Sequence, residues 1–199
     1  MHGLVNSNYA GILGNSINPT SILNSRLYLD IVPFGLHLNV DNNYIYLAKE
    51  DYKFSRFFTS GAVFPVHGED DRAFYDLINK DLKNVYSEIK VIGPSAMFAY
   101  KDQAFGFSTA FRNIASGRNI PYEIAKFGVE GLNYTPLQRI NFTNEHSFRT
   151  ADIAFTEIAA TYSRVLFKRN RDHWSGGITL KGLLASAGAY GFVNNIDYM

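Results

Sequence analysis

The residues that could do chemistry are few and scattered. Five histidines, His2, His37, His67, His146 and His173, stand isolated along the 199 residues, with none of the spacings that zinc ligands require. No nucleophile is paired in sequence with a base, so no enzymatic activity is expected. His67 precedes an acidic run, Glu69-Asp70-Asp71, whose carboxylates suit a hard cation such as Ca²⁺. The same run is equally explained as the acidic start of a helix, where carboxylates offset the helix dipole. No metal site or cofactor is therefore predicted. Gly176-Gly177 lies inside a strand-like run, so close backbone approach explains it better than a phosphate loop. What remains is a set of charges on otherwise apolar, alternating stretches: Arg112, Glu157 and Lys181, joined by Glu88 and Lys90. If the apolar faces of those stretches meet lipid, these five side chains face a lumen. There they either form a paired network filling the interior or shape a path and contact a ligand.

The elements that must position them are strands. Residues 153–184 read as one long β-hairpin. In its second arm Trp174, Gly176, Ile178, Leu180, Gly182 and Leu184 share one face, while Ser175, Gly177, Thr179 and Lys181 share the other. In its first arm Ile158, Ala160, Tyr162 and Leu166 oppose Glu157, Thr161 and Ser163, and Arg164 interrupts the apolar row. Lys168-Arg169-Asn170-Arg171-Asp172 is the solvated turn. Tyr162 and Trp174 are candidates for an aromatic girdle at a membrane interface; ordinary β packing explains them equally well.

The other segments vary this unit. Residues 26–40 place Val32, Phe34, Leu36, Leu38 and Val40 on one face, long enough to cross a bilayer as a tilted strand of about 9–11 residues. Residues 85–112 return to strands, interrupted at Gly93-Pro94 and turning at Lys101-Asp102-Gln103. Phe105, Phe107, Thr109 and Phe111 there oppose Ala104, Gly106, Ser108, Ala110 and Arg112. Between these, Phe74, Leu77, Ile78 and Leu82 fall at helical spacing, which predicts an amphipathic helix over 70–83. A short helix is predicted at 122–127 within a long connection. Residues 1–25 mix turn formers with Ile12, Leu13, Ile17, Ile22 and Leu23, the pattern of a tethered segment with one helical turn after Pro19.

Composition narrows the class. A formal net charge of +1 argues against a nucleic-acid partner, and the absence of cysteine excludes disulfides and thiol chemistry. Thirteen Tyr, sixteen Phe and sixteen Gly favour β structure with tight turns. No run approaches the roughly 18 apolar residues of a membrane helix. The sequence also opens without the apolar core of a signal peptide, so export presumes one removed or lost.

Asn8-Tyr9-Ala10-Gly11 followed by Asn18-Pro19-Thr20-Ser21 resembles the Asn-Pro-Ala segment that opens mature FadL-type outer-membrane barrels and the related PorV-like proteins, with Thr20 in place of the usual alanine. Ile92-Gly93-Pro94-Ser95, residues 105–112, Tyr162-Ser163-Arg164-Val165-Leu166 and Gly176-Gly177-Ile178-Thr179-Leu180-Lys181 resemble uncharacterised outer-membrane barrel proteins of Bacteroidetes. The resemblance implies an all-β chain with minor α: an antiparallel up-and-down, partial transmembrane β-barrel. Residues 1–25 would be a plug or hatch marked by Asn8, Gly11, Asn18 and Pro19, and residues 26–199 the wall. About six to eight strands are expected, short of a lone closed barrel, which implies the N-terminal half of a larger one or a fragment. The implied location is the outer membrane, with lipid as partner. The implied role is passage of a hydrophobic small molecule or a scaffold for surface or secreted proteins. The competing class is a soluble periplasmic or secreted β protein with an apolar ligand cup. The two differ in which face of 105–111 and 178–184 is exposed.

Overall fold

The computed structural model describes residues 7, 9–50, 66–67, 73–132, 134–138, 141–144, 146–169 and 172–198. Two helical turns, α1 (Gly11–Gly14) and α2 (Ser21–Asn24), precede strands β1 (Leu29–Val32), β2 (Gly35–Asn42) and β3 (Ile45–Leu47). Then come β4 (Val66–His67), β5 (Ala73–Asp76), β6 (Lys83–Ile92), β7 (Ser95–Tyr100) and β8 (Gln103–Ile120). Helix α3 (Tyr122–Glu130) and a 3₁₀ turn (Thr135–Leu137) lead to β9 (Phe142–Asn144), β10 (Phe148–Arg169), β11 (Asp172–Val193) and β12 (Ile196–Tyr198). The fold is mostly antiparallel β with few helices. A seven-stranded sheet has the order β1-β7-β8-β10-β11, with β2 paired to β6 and β6 to β8; this order does not close on itself. Among the described residues the strand pairing is thus that of an open sheet and not of a closed barrel.

The chain divides into two compact units. The first comprises residues 1–39, 88–114 and 152–188. Its sheet has an unusual polarity. The apolar rows are exposed: Phe105 and Phe107 at 50%, Ile178 at 61% and Leu180 at 70%. The opposite face, lined by small and polar residues, carries the buried core. Ile12 and Ile22 pack there with Met97 and Ala104. Gly106 lies under both isoleucines; a Cβ on it would come within 2.9 Å of Ile12 Cδ1. So α1 and α2 sit on the small-residue face because only that face lets backbone and side chain approach closely.

Two prolines shape the first strand line. Val32 pairs with Ser95, which places the Pro33 break beside the Gly93-Pro94 break. Proline has no N–H for a ladder, so the neighbouring strand must find other partners. Thr109 supplies them: its N–H donates to Ser95 Oγ at 3.3 Å and its hydroxyl to the Pro94 carbonyl at 3.1 Å. The break also shifts the facing. Leu29 and Ile31 are exposed while Val32 packs against the core, so Val32 does not share the exposed row of Leu36, Leu38 and Val40. In β10 Ala154 and Ala159 are both buried although five positions apart, so the alternation slips by one residue between them.

The second unit comprises residues 40–87, 115–151 and 189–199. It holds a small sheet in the order β3-β5-β4 and the pair β12-β9. Of the helix predicted over 70–83, residues 70–72 lie outside the described residues and 73–83 are not helical: Phe74 lies in β5, whose register sets Leu47 opposite Phe74 and Tyr46 opposite Tyr75, and residues 77–82 are irregular. Pairing with β3 and β4 overrides the helical spacing of its apolar residues, as tertiary context often does. The second helix expectation holds, and α3 extends to Glu130. Pro121 precedes its first turn, and Gly131, at φ 82°, ends it by donating its N–H to the Phe127 carbonyl at 2.9 Å.

Candidate functional site

The first unit contains a cavity of about 310 Å³ between the α1 segment and the polar face of the sheet. Ile12, Asn15 and Ile17 line it on one side; the opposing wall brings Glu88, Lys90, Arg112, Glu157 and Lys181 together. The alternation of β6, β8, β10 and β11 puts these five charges on one face. Arg112 links the two carboxylates, with Nη1 3.7 Å from Glu88 Oε1 and Nε 3.3 Å from Glu157 Oε1. That Nε is buried and lacks hydrogen-bond geometry to any partner among the described residues. His37, from β2, also lines the cavity.

The α1 segment is bolted across this face. Asn15 Nδ2 donates to Thr161 Oγ1 at 2.6 Å, and Thr179 Oγ1 donates to Asn15 Oδ1 at 3.2 Å. Ser163 Oγ donates to the Pro19 carbonyl at 2.6 Å. Asn18 caps the turn by accepting from both Thr20 N and Thr20 Oγ1. Gly11 adopts φ +50°, which lets the following Ile12 N–H reach Asp30 Oδ2 at 2.9 Å. A side chain on Gly11 would collide with that carboxylate. Of the four residues marking the predicted plug, Gly11, Asn18 and Pro19 thus lie in a segment held to the sheet; Asn8 lies outside the described residues. Tyr162 and Trp174 are both exposed, and the Tyr162 hydroxyl donates to Gln103 Oε1 at 3.1 Å.

The second unit carries an ionic cluster with no counterpart in the sequence reading. Lys126 of α3 is 4% exposed and donates to both Asp76 carboxylate oxygens, at 3.0 and 2.9 Å, and lies 3.0 Å from Glu130 Oε1. His67 bridges the same two acids, 3.3 Å from Asp76 and 3.4 Å from Glu130. Tyr44 donates its hydroxyl to Asp76 at 3.2 Å. Burial would raise the Asp76 carboxyl, but the hydrogen bonds from Lys126 and His67 outweigh it and hold the group below the usual carboxylate range. Burial likewise opposes the Lys126 charge, and its bonds to Asp76 and Glu130 reverse the balance upward. Burial and the Asp76 carboxylate push Tyr44 up. The cluster is a satisfied salt-bridge network that pins α3 to β5 and β4. The Ca²⁺ alternative drawn from Glu69, Asp70 and Asp71 falls outside the described residues; His67 itself is engaged by Asp76 and Glu130. Among the described residues no cluster of histidine and acid side chains has the arrangement of a metal site. The i,i+4 spacing of Lys126 and Glu130 was the one sequence signal for this network.

Residues 19–199 match a family of unknown function, DUF5723. No curated protein and no solved structure matches the chain.

Proposed function

The chain belongs to the DUF5723 family, and we propose that it forms part of the wall of an outer-membrane β-barrel, with residues 1–25 as its plug. The observation that carries this reading is the polarity of the first unit's sheet. Its apolar rows, including Phe105, Phe107, Ile178 and Leu180, are exposed, while its charged and small residues face a cavity and the α1 segment. Membrane barrels alternate in this sense, apolar toward lipid and polar toward the interior. The cavity favours passage of a small molecule over a scaffold for surface or secreted proteins, since a scaffold needs no internal space. A soluble protein with an apolar cup would turn the same rows inward, and the buried core here is instead the small set around Ile12 and Ile22.

Trp174 tests the reading because it is the only tryptophan and is 69% exposed. The chain is refolded into vesicles containing lipids brominated at defined acyl positions. Quenching of Trp174 that depends on bromine depth is the expected result. Trp174 emission that stays unquenched in vesicles, with a folded monomer in plain buffer, would reject the membrane reading.

A further inference from the structure

We infer that the cavity of the first unit is a binding site for a small oxyanion, a phosphate or carboxylate group held between Lys90 and Lys181. The site stands on that unit's geometry alone and does not depend on where the chain resides. Three cationic side chains, Lys90, Arg112 and Lys181, face the cavity with two carboxylates, Glu88 and Glu157. Both carboxylates are taken up by Arg112. Among the described residues neither Lys90 nor Lys181 has an acceptor within ion-pair or hydrogen-bond distance. The Arg112 Nε–H is also buried without a hydrogen-bond partner there. Of these donors the Arg112 Nε–H is buried, Lys90 is half-buried and Lys181 is exposed, so the cost of a missing acceptor falls on the first two; with three cations against two carboxylates lining the cavity, the deficit is of negative charge. A neutral or purely apolar occupant leaves that deficit in place; a cation adds to the charge excess. An oxyanion supplies several acceptor oxygens at once and cancels the net positive charge. The volume of about 310 Å³ suits a small organic or inorganic anion. The adjoining Ile12 and Ile17 offer apolar contact to any short carbon skeleton attached to it.

The test is calorimetric titration of the folded full chain with inorganic phosphate, at constant ionic strength set by choline chloride. Saturable binding is expected. Lys90→Gln and Lys181→Gln should each weaken it about ten-fold or more, and Lys90→Arg should retain it. Glu157→Gln should tighten it, because it releases Arg112 to the anion. Lys181 is exposed on β11, so its replacement keeps the test decisive if Lys90→Gln does not fold. Absence of saturable binding by the wild-type chain overturns the inference. So does equal weakening by Lys101→Gln, a residue outside the cavity.

Discussion

Replacing Leu180 by arginine separates the two readings of the exposed apolar rows by a measurable free energy. Leu180 is 70% exposed, so roughly a third of its surface is covered by protein. Complete burial of such a side chain contributes about 1.5–3 kcal/mol, so in water the substitution removes about 0.5–1 kcal/mol. The exposed position lets the longer side chain turn outward, and no buried polar group is created. Facing lipid, the same arginine costs about 2–4 kcal/mol near the bilayer midplane, in addition to the lost apolar contact. In equilibrium constant that is at most about five-fold against about seventy-fold to several thousand-fold. The assay is reversible unfolding in guanidinium with Trp174 emission as readout, in vesicles for the membrane state. Phe107→Arg on the interior strand β8 serves as a second position, and Lys181→Met, on the opposite face, as the control that should not show the lipid penalty. A cost below about 1 kcal/mol at both Leu180 and Phe107 in a vesicle-bound, folded chain would refute placement of these rows against lipid.

The attachment of the N-terminal segment gives two further expectations. Asn15→Ala removes bonds to Thr161 and Thr179, whose hydroxyls then keep only their 2.9 Å bond to each other, at a cost of about 1–2 kcal/mol; faster amide exchange at Ile12–Leu13 than in the wild-type chain is the check. In Gly177→Val the added Cβ would meet Pro19 Cβ at 2.9 Å. This should lift the segment at about 1–3 kcal/mol and expose it to limited proteolysis before the strands are cut. For the cluster of the second unit, Lys126→Met leaves Asp76 and Glu130 facing one another in a largely buried setting. A loss of about 3–5 kcal/mol is expected, read as a lower unfolding midpoint. Because Asp76 titrates below its unfolded value, its contribution is present above the usual carboxylate range and is lost as pH falls through the depressed folded value. Lys126, titrating above its unfolded value, keeps its contribution until pH passes well above the usual lysine range. The wild-type chain should therefore lose stability toward strong acid more steeply than Asp76→Asn, by comparison of unfolding midpoints across pH.

What could be read from the sequence followed from periodicity, and what could not depended on long-range partners. The 153–184 hairpin, the Lys101-Asp102 turn and the 122–127 helix are local patterns: alternation, turn chemistry, and a short helical stretch within a long connection. Each reappears in the structure as β10–β11, the β7–β8 connection and α3. Val32 faces the core, against its alternation with Leu36 and Leu38, because the strand breaks at Pro33 and its phase changes there. The 70–83 helix failed because short apolar spacing cannot distinguish a helix from a strand that finds partners elsewhere, here β3 and β4. Lys126 has one partner at i,i+4 and another, Asp76, fifty positions away, so only half of its environment was visible locally. The grouping of Glu88, Lys90, Arg112, Glu157 and Lys181 lay between these extremes. Their common face follows from alternation within each strand, but their convergence needs the β6-β8-β10-β11 neighbour order.

That neighbour order also bears on why the polar face is the one that gathers a core. A sheet whose two faces were both apolar would leave no specific seat for α1 and α2. A sheet apolar on one face would ordinarily draw them to that face by burial alone. Here Ile12 and Ile22 instead pack over Ala104 and Gly106, and the segment is fixed by Asn15 and by the Pro19 carbonyl to Thr161, Thr179 and Ser163. Seating an apolar segment on hydroxyls and glycines, with Phe105, Phe107, Ile178 and Leu180 left outside, forgoes the larger burial on the other side. The lipid contact proposed above would give these outer rows, interrupted at Arg164, a partner of matching chemistry. The core on the inner face and the bare rows on the outer one are thus two consequences of one alternation, and a chain shown to be monomeric and folded in water would have to account for both together.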